Sequence, residues 1–305
     1  MFINYSPCQI DPQFSFYNYT TVYNNPAYSG IDRKISFILL HRSQWLNYQP
    51  TNAKGYPPTT QLISLSIPDF SRKSGFGLYI TNDALANIIR NNNLMLSYAY
   101  HQNLSPKSIL AVGIKGGIFT SKIDGSSYIF NDLGDPLINT GIENFSTTDL
   151  GAGIAIYNSR FNVGFSLSHI NTLLHNNFDR FGLPMLAVFN FGTSFHINEK
   201  WIINPSLIGK STTNIKSITA NIGSFIEYEQ KFWIGLTSRY QESINFLAGI
   251  NLLKENNLKV GYGFDYVTSN TKAKSPTSHE VMLLLSFEAL HKTAKPPIRT
   301  PRYRF

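Results

Sequence analysis

The stretch Thr147-Thr148-Asp149-Leu150-Gly151-Ala152-Gly153-Ile154-Ala155-Ile156-Tyr157-Asn158-Ser159-Arg160-Phe161-Asn162-Val163-Gly164-Phe165-Ser166-Leu167-Ser168-His169 decides the fold. Leu150, Ala152, Ile154 and Ile156 alternate with Gly151, Gly153 and Ala155. After Asn158-Ser159-Arg160, the residues Phe161, Val163, Phe165 and Leu167 alternate with Asn162, Gly164, Ser166 and Ser168. Successive side chains of a strand point to opposite faces, so each run has one bulky apolar face and one small or polar face. Two such runs joined by a short polar break form a hairpin.

Outward from this hairpin the same unit recurs. Towards the N-terminus, strands are expected near Lys34–Arg42, Thr59–Ile67, Gly75–Thr81, Asn93–Gln102 and Ile109–Thr120. Towards the C-terminus they are expected near Met185–Ile197, Trp201–Lys210, Ser217–Tyr228, Phe232–Tyr240, Ile244–Leu253, Leu258–Tyr266 and Glu280–Phe287. Pro205 interrupts one of these and predicts a bulge or poor pairing there, because proline removes a ladder donor.

With the hairpin, this makes about 14 strands of roughly the ten residues that cross a bilayer at a steep tilt. Of the connections counted from the first strand, the odd-numbered ones are mostly long: Ser43–Pro58, Asn82–Asn92, Ser121–Ser146, Ile170–Pro184 and Thr268–Ser278. The even-numbered ones are short, and Gln241–Ser243 is a short exception among the odd. Short turns on one side and long loops on the other are the pattern of an outer-membrane barrel, and a sandwich has no reason to sort loops this way.

Composition agrees. Of 305 residues, 14% are charged, against about 25% in soluble domains, and 14% are aromatic. No run of about 18 apolar residues offers a helical span. The expected fold is therefore all-β: a transmembrane antiparallel up-and-down barrel over residues 31–288. An extended N-terminal periplasmic segment (residues 1–30), folded against or inside the barrel, precedes it, and a basic C-terminal periplasmic tail (residues 289–305) follows. Bulky faces should meet lipid, and the Gly, Ala, Ser and Asn faces the interior. Tyr98, Tyr100, Tyr157, Trp201, Tyr240 and Tyr266 should form interfacial girdles. Met1–Ile10 has no basic and then apolar run of a signal peptide, so either the mature form is given or the start lies upstream.

Catalytic signatures are missing: G-x-S-x-G, H-E-x-x-H and G-x-x-x-x-G-K do not occur. Gly75-Phe76-Gly77 and Gly261-Tyr262-Gly263 lack the third glycine of a dinucleotide fingerprint and read as room inside a barrel. The seven histidines have no metal-ligand spacing; His41 and His101 read as inward polar residues. Glu227 and Glu229 read as a solvated rim. Asp124, Asp132, Asp135 and Glu143, in the longest loop, do not match an EF-hand. The one cysteine, Cys8, allows no disulfide framework. The expectation is no catalytic site, no metal and no cofactor.

The net charge of +8 is concentrated in the tail, where Lys292, Lys295, Arg299, Arg302 and Arg304 follow the last acid, Glu288. No basic–aromatic interleaving accompanies it, so nucleic acid is a poor fit; anionic lipid or an acidic periplasmic partner fits better.

Several segments, in order and spacing, resemble the PorP/SprF family of outer-membrane proteins of Bacteroidetes type IX secretion and gliding motility. They are Asp11-Pro12-Gln13-Phe14-Ser15, Tyr23-Asn24-Asn25-Pro26-Ala27-Tyr28-Ser29-Gly30, His41-Arg42-Ser43-Gln44-Trp45 and Pro58-Thr59-Thr60-Gln61. Gly75-Phe76-Gly77-Leu78-Tyr79-Ile80-Thr81-Asn82-Asp83 and Ser278-His279-Glu280-Val281-Met282 complete the set. The chain departs from the pattern by lacking a signal peptide and by the inserted Asn52–Tyr56.

The resemblance implies a non-enzymatic barrel that binds specific secreted surface proteins and helps export and retain them through their C-terminal sorting domains. Outer loops would meet cargo, and the N-terminal segment and tail would meet periplasmic secretion and motor components. Candidate partner-binding residues are Arg42, Gln44 and Trp45 at the first outer loop, Asn25, Pro26 and Tyr28 in the lead segment, and Arg299, Arg302 and Arg304 in the tail. The alternative on the same scaffold is a porin or hydrophobic-ligand transporter.

Overall fold

Alternation along the chain becomes one sheet that closes on itself. The computed structural model describes residues 11–48, 56–69, 73–86, 88–127, 141–173, 183–212, 218–253, 257–269 and 275–288. The strands are β1 (Lys34–Ser43), β2 (Thr59–Asp69), β3 (Ser74–Leu85), β4 (Ile89–Ser105), β5 (Ser108–Asp124), β6 (Ile142–Asn158) and β7 (Phe161–Ser168). They continue as β8 (Leu186–Thr193, resumed at Phe195–His196), β9 (Trp201–Thr212), β10 (Ile218–Tyr228), β11 (Phe232–Arg239), β12 (Ser243–Leu252), β13 (Leu258–Val267) and β14 (Thr277–Glu288).

Each strand pairs antiparallel with its sequence neighbours. β14 returns to β1, from Lys34 opposite Glu288 to Ser43 opposite His279. The result is the expected closed barrel of 14 strands. Closure leaves no edge, so ladder N–H and C=O groups are paired where lipid offers them nothing.

The expected hairpin forms, with Ile154 opposite Phe165 and Ile156 opposite Val163. Ile154, Leu150 and Phe165 face outward and are exposed, as are Leu96, Ile114, Ile222 and Ile234 around the wall. These side chains form the lipid belt.

Two expected loops are instead strand. β4, β5 and β6 are 17 residues each, and pairing runs up to Asp124 opposite Ile142, so much of Ser121–Ser146 belongs to the wall. β3 and β4 likewise pair out to Leu85 opposite Ile89, which reduces Asn82–Asn92 to a turn with Ala86 at φ 52°. About 9–11 residues suffice to cross a bilayer. The outward residues of β5 and β6 change from Ile118 and Leu150 to Thr120, Lys122, Thr148, Ser146 and Asn144, with Ile142 the one apolar residue at the end of β6. One side of the wall therefore stands beyond the lipid belt as a polar ledge at the long-loop end. Apolar alternation could not mark it, because its outer face meets water.

At Pro205 the pairing with β10 continues unbroken. On the other side, pairing with β8 lapses between Ile203–Phe195 and Ser206–Gly192, with no change of register. The effect is poor pairing on one edge and no bulge.

Candidate functional site

The lumen is occupied by the chain itself. The lead segment, expected as an extended periplasmic stretch folded against or inside the barrel, is folded from Asp11 onward and packed inside it. It holds a helical turn at Thr21–Asn24 (α1) and a 3-10 turn at Pro26–Tyr28, capped by Asn25 Oδ1 accepting from the Ala27 N–H at 2.9 Å. Phe16, Asn25, Ala27 and Ser29 are fully buried.

Contacts run right round the wall. Asn25 Nδ2 donates to the Ile154 and Phe165 carbonyls of β6 and β7 at 3.2 and 3.3 Å. Tyr17 and Ser206 of β9 share a hydrogen bond of 2.9 Å, as Ser29 and Ser97 of β4 do at 2.8 Å. The Gly30 N–H donates to Ser66 Oγ of β2. A segment touching opposite walls at zero exposure is a plug.

The wall is shaped to receive it. A Cβ on Gly153 would lie 2.1 Å from Asn25 Oδ1, and one on Gly113 would lie 2.5 Å from the Ala27 nitrogen. The small face of the opening hairpin is thus the plug's seat. Elsewhere the inward face is bulkier than the expected Gly, Ala, Ser and Asn. Ile38, Leu40, Leu62, Tyr79, Met95, Trp233 and Met282 pack against Phe14, Phe16 and Tyr23 of the plug in one buried cluster. Apolar plug residues need an apolar partner to leave water.

The lumen is also more charged than expected. Near the long-loop ends of β1, β13 and β14, Arg42 Nη1 lies 2.7 Å from Asp265 and 2.8 Å from Glu280, all at or below 3% exposure. The plug completes this network. The Ser15 and Phe16 N–H groups donate to Glu280 at 2.9 and 3.1 Å, and Ser15 Oγ donates to Asp265 at 2.8 Å. Ser15 Oγ accepts from Arg42 and, at 3.4 Å, from Arg239. Buried charges are tolerated only when paired and hydrogen-bonded in this way.

A second cluster holds the outermost plug residue described. His169, just beyond β7, lies between Asp11 at 3.3 Å and Asp149 at 3.0 Å. Burial alone would raise the Asp11 carboxyl, but His169, backed by Lys210 and Lys115, draws it down to about 2. Burial would lower His169, but the two carboxylates hold it at about 9. The plug therefore runs from Asp11 at the long-loop end to Gly30 at the short-turn end, where β1 begins.

The candidate residues separate. Arg42 points inward and is 2% exposed, so it serves the plug network and presents nothing to an outside partner. Gln44 and Trp45 sit on the long-loop rim. The Gln44 N–H donates to Pro58 O, the Trp45 N–H to Ser278 Oγ, and the Trp45 ring stands 5.8 Å from Tyr48. Asn25, Pro26 and Tyr28 lie within the plug, where Tyr28 accepts from Asn190 Nδ2 at 2.6 Å. Arg299, Arg302 and Arg304 lie outside the described residues, as do Asp132 and Asp135.

His101 faces inward as expected, but His41 is exposed on the outer face beside Ser43 and Gln61. Tyr157 faces inward and leaves the girdle; Tyr98, Tyr100, Trp201, Tyr240 and Tyr266 are exposed. Glu229 pairs with Lys200 at 2.9 Å on the surface. Sequence reading missed Ser15, Asp149, His169, Arg239, Asp265 and Glu280. Polar residues on the inward face of strands were the available signal.

The fold is supported by a solved transporter structure. The toluene transporter TodX of Pseudomonas putida matches with a TM-score of 0.51 at 9% identity, over 88% of this chain and 93% of that one. A FadL homologue of Pseudomonas aeruginosa matches with a TM-score of 0.48 at 10% identity, over 88% and 94%. The KdgM porin gives 0.39 at 10% identity, over 84% and 99%. No match is found among curated protein sequences. The model of the family described as type IX secretion system membrane protein PorP/SprF matches residues 7–285. This chain, a closed barrel of the outer membrane, belongs to the PorP/SprF family.

Proposed function

We propose that this protein is a non-catalytic outer-membrane component of type IX secretion. It binds specific secreted surface proteins through their C-terminal sorting domains and helps export and retain them at the long-loop end. Family membership, with residues 7–285 matched, carries the reading. The polar ledge of β4, β5 and β6 supports it, because it sets Lys122, Asn144 and Ser146 beyond the lipid belt, where a secreted protein is met. The rim residues Gln44 and Trp45 lie at the same end.

The filled lumen weighs against the diffusion-porin alternative, since an open channel needs a water-filled interior. Periplasmic secretion and motor components are met from the short-turn side, where the basic tail with Arg299, Arg302 and Arg304 serves them. Outer-membrane lipid surrounds the wall, and nucleic acid has no part. Deleting the gene should trap a defined subset of surface proteins inside the cell; normal display of every type IX cargo in the deletion strain refutes the reading.

A further inference from the structure

At the short-turn end, between the plug and β7–β10, lies a cavity of about 240 Å³. Tyr17, Tyr19, Tyr28 and Tyr157 supply aromatic rings to its lining, and Asp32 and Glu227 supply carboxylates. Its amide donors are largely spent within the wall and the plug. Asn190 Nδ2 donates to Tyr28, Asn204 Nδ2 to Glu227, and Asn18 Nδ2 to Ser206.

Acceptors and negative charge remain. Asn190 Oδ1 is buried with no hydrogen-bond partner, and Asp32 is exposed. Among the described residues no Lys, Arg or His lies within ion-pair distance of Asp32 or Glu227. Lys259, the nearby cation, has its ammonium 5.7 Å from the centre of the Tyr19 ring, so one lysine already uses the cavity's margin in this way. A surplus of acceptors and carboxylates among phenol rings suits a donor-rich cation, held by charge-assisted hydrogen bonds and by the ring faces.

We propose that this cavity binds a primary ammonium or guanidinium group from the short-turn side. The group is carried either by a small organic amine or by a Lys or Arg side chain of a periplasmic polypeptide. The site does not depend on the cargo role proposed above, which concerns the opposite end.

The test is calorimetric titration of the detergent-solubilised full chain with Nα-acetyl-lysine methylamide. Its uncharged counterpart, Nα-acetyl-norleucine methylamide, is the control. The lysine derivative should bind saturably and the norleucine derivative should not. The double variant Asp32→Asn, Glu227→Gln should lose at least about tenfold in affinity while keeping the thermal midpoint of the parent. Asn190→Ala, which removes the unpartnered acceptor without touching a charge, should weaken binding by a smaller factor.

A short lysine-containing peptide that binds at least about tenfold tighter than the single derivative identifies a polypeptide source. Equal or weaker peptide binding identifies a free amine. Equal binding of the norleucine derivative, no saturable binding at millimolar concentration, or unchanged affinity in the double variant overturns the proposal.

Discussion

Ser15 touches four charged side chains: Arg42, Arg239, Asp265 and Glu280. This contact ties the plug to four different strands, β1, β11, β13 and β14. Removing one partner of a buried ion network leaves the others uncompensated, at a cost of about 3–5 kcal/mol. Arg42→Met should therefore lower the unfolding midpoint in detergent sharply, measured by circular dichroism at the strand signal. Ser15→Ala should leave the wall charges paired and cost less, about 1–3 kcal/mol.

The Asp11–His169–Asp149 cluster adds a pH dependence. His169 is raised from 6.5 to about 9, so its stabilisation is full below pH 6.5 and is lost as pH rises through 9. Asp11 is lowered from 3.8 to about 2, so its contribution is full above pH 3.8 and is lost as pH falls through 2. The plug should be held best between these limits. Protease cutting within the lead segment should increase from pH 6.5 to 9 in the parent, and His169→Gln should flatten that rise.

At the level of the strand, the two faces of β6 make opposite demands. Gly153 and its neighbours face the plug, and the wall has no slack there. Gly153→Val drives a side chain into Asn25; overpacking of this kind costs about 1–3 kcal/mol and should expose the lead segment to protease while the barrel stays closed. Ile154, one residue on, faces lipid. Ile154→Arg should destabilise the barrel in vesicles by about 2–4 kcal/mol, measured by urea unfolding. Thr148→Arg, on the same face but beyond the belt, should cost about 0–1 kcal/mol. This pair of variants locates the membrane boundary.

Alternation made the strand count, closure and lipid face of the whole barrel legible in the sequence, because lipid imposes the same chemical demand on every outward residue. The ledge of β4–β6 was not legible, since its outward residues meet water and lose the apolar signal. The lead segment was legible as turn-rich chain folded against or inside the barrel, but its individual contacts with the wall were not, because they join residues far apart in sequence. Taken as a whole, the molecule is a filled cylinder. The intact protein should pass little current in planar bilayers, while a variant lacking residues 11–30 should conduct steadily; large steady currents from the parent would remove the plug from the account.

Local sequence by itself determined that strands form, which face meets lipid and where tight turns fall, because these depend on neighbours one and two residues away. Only the tertiary structure decided that Arg42 serves the interior, that Gly113 and Gly153 seat the chain's own beginning, and that Asp265 and Glu280, far along the sequence, meet Ser15. Those contacts join residues separated by up to 265 positions, and closure of the barrel is what brings them within hydrogen-bond reach.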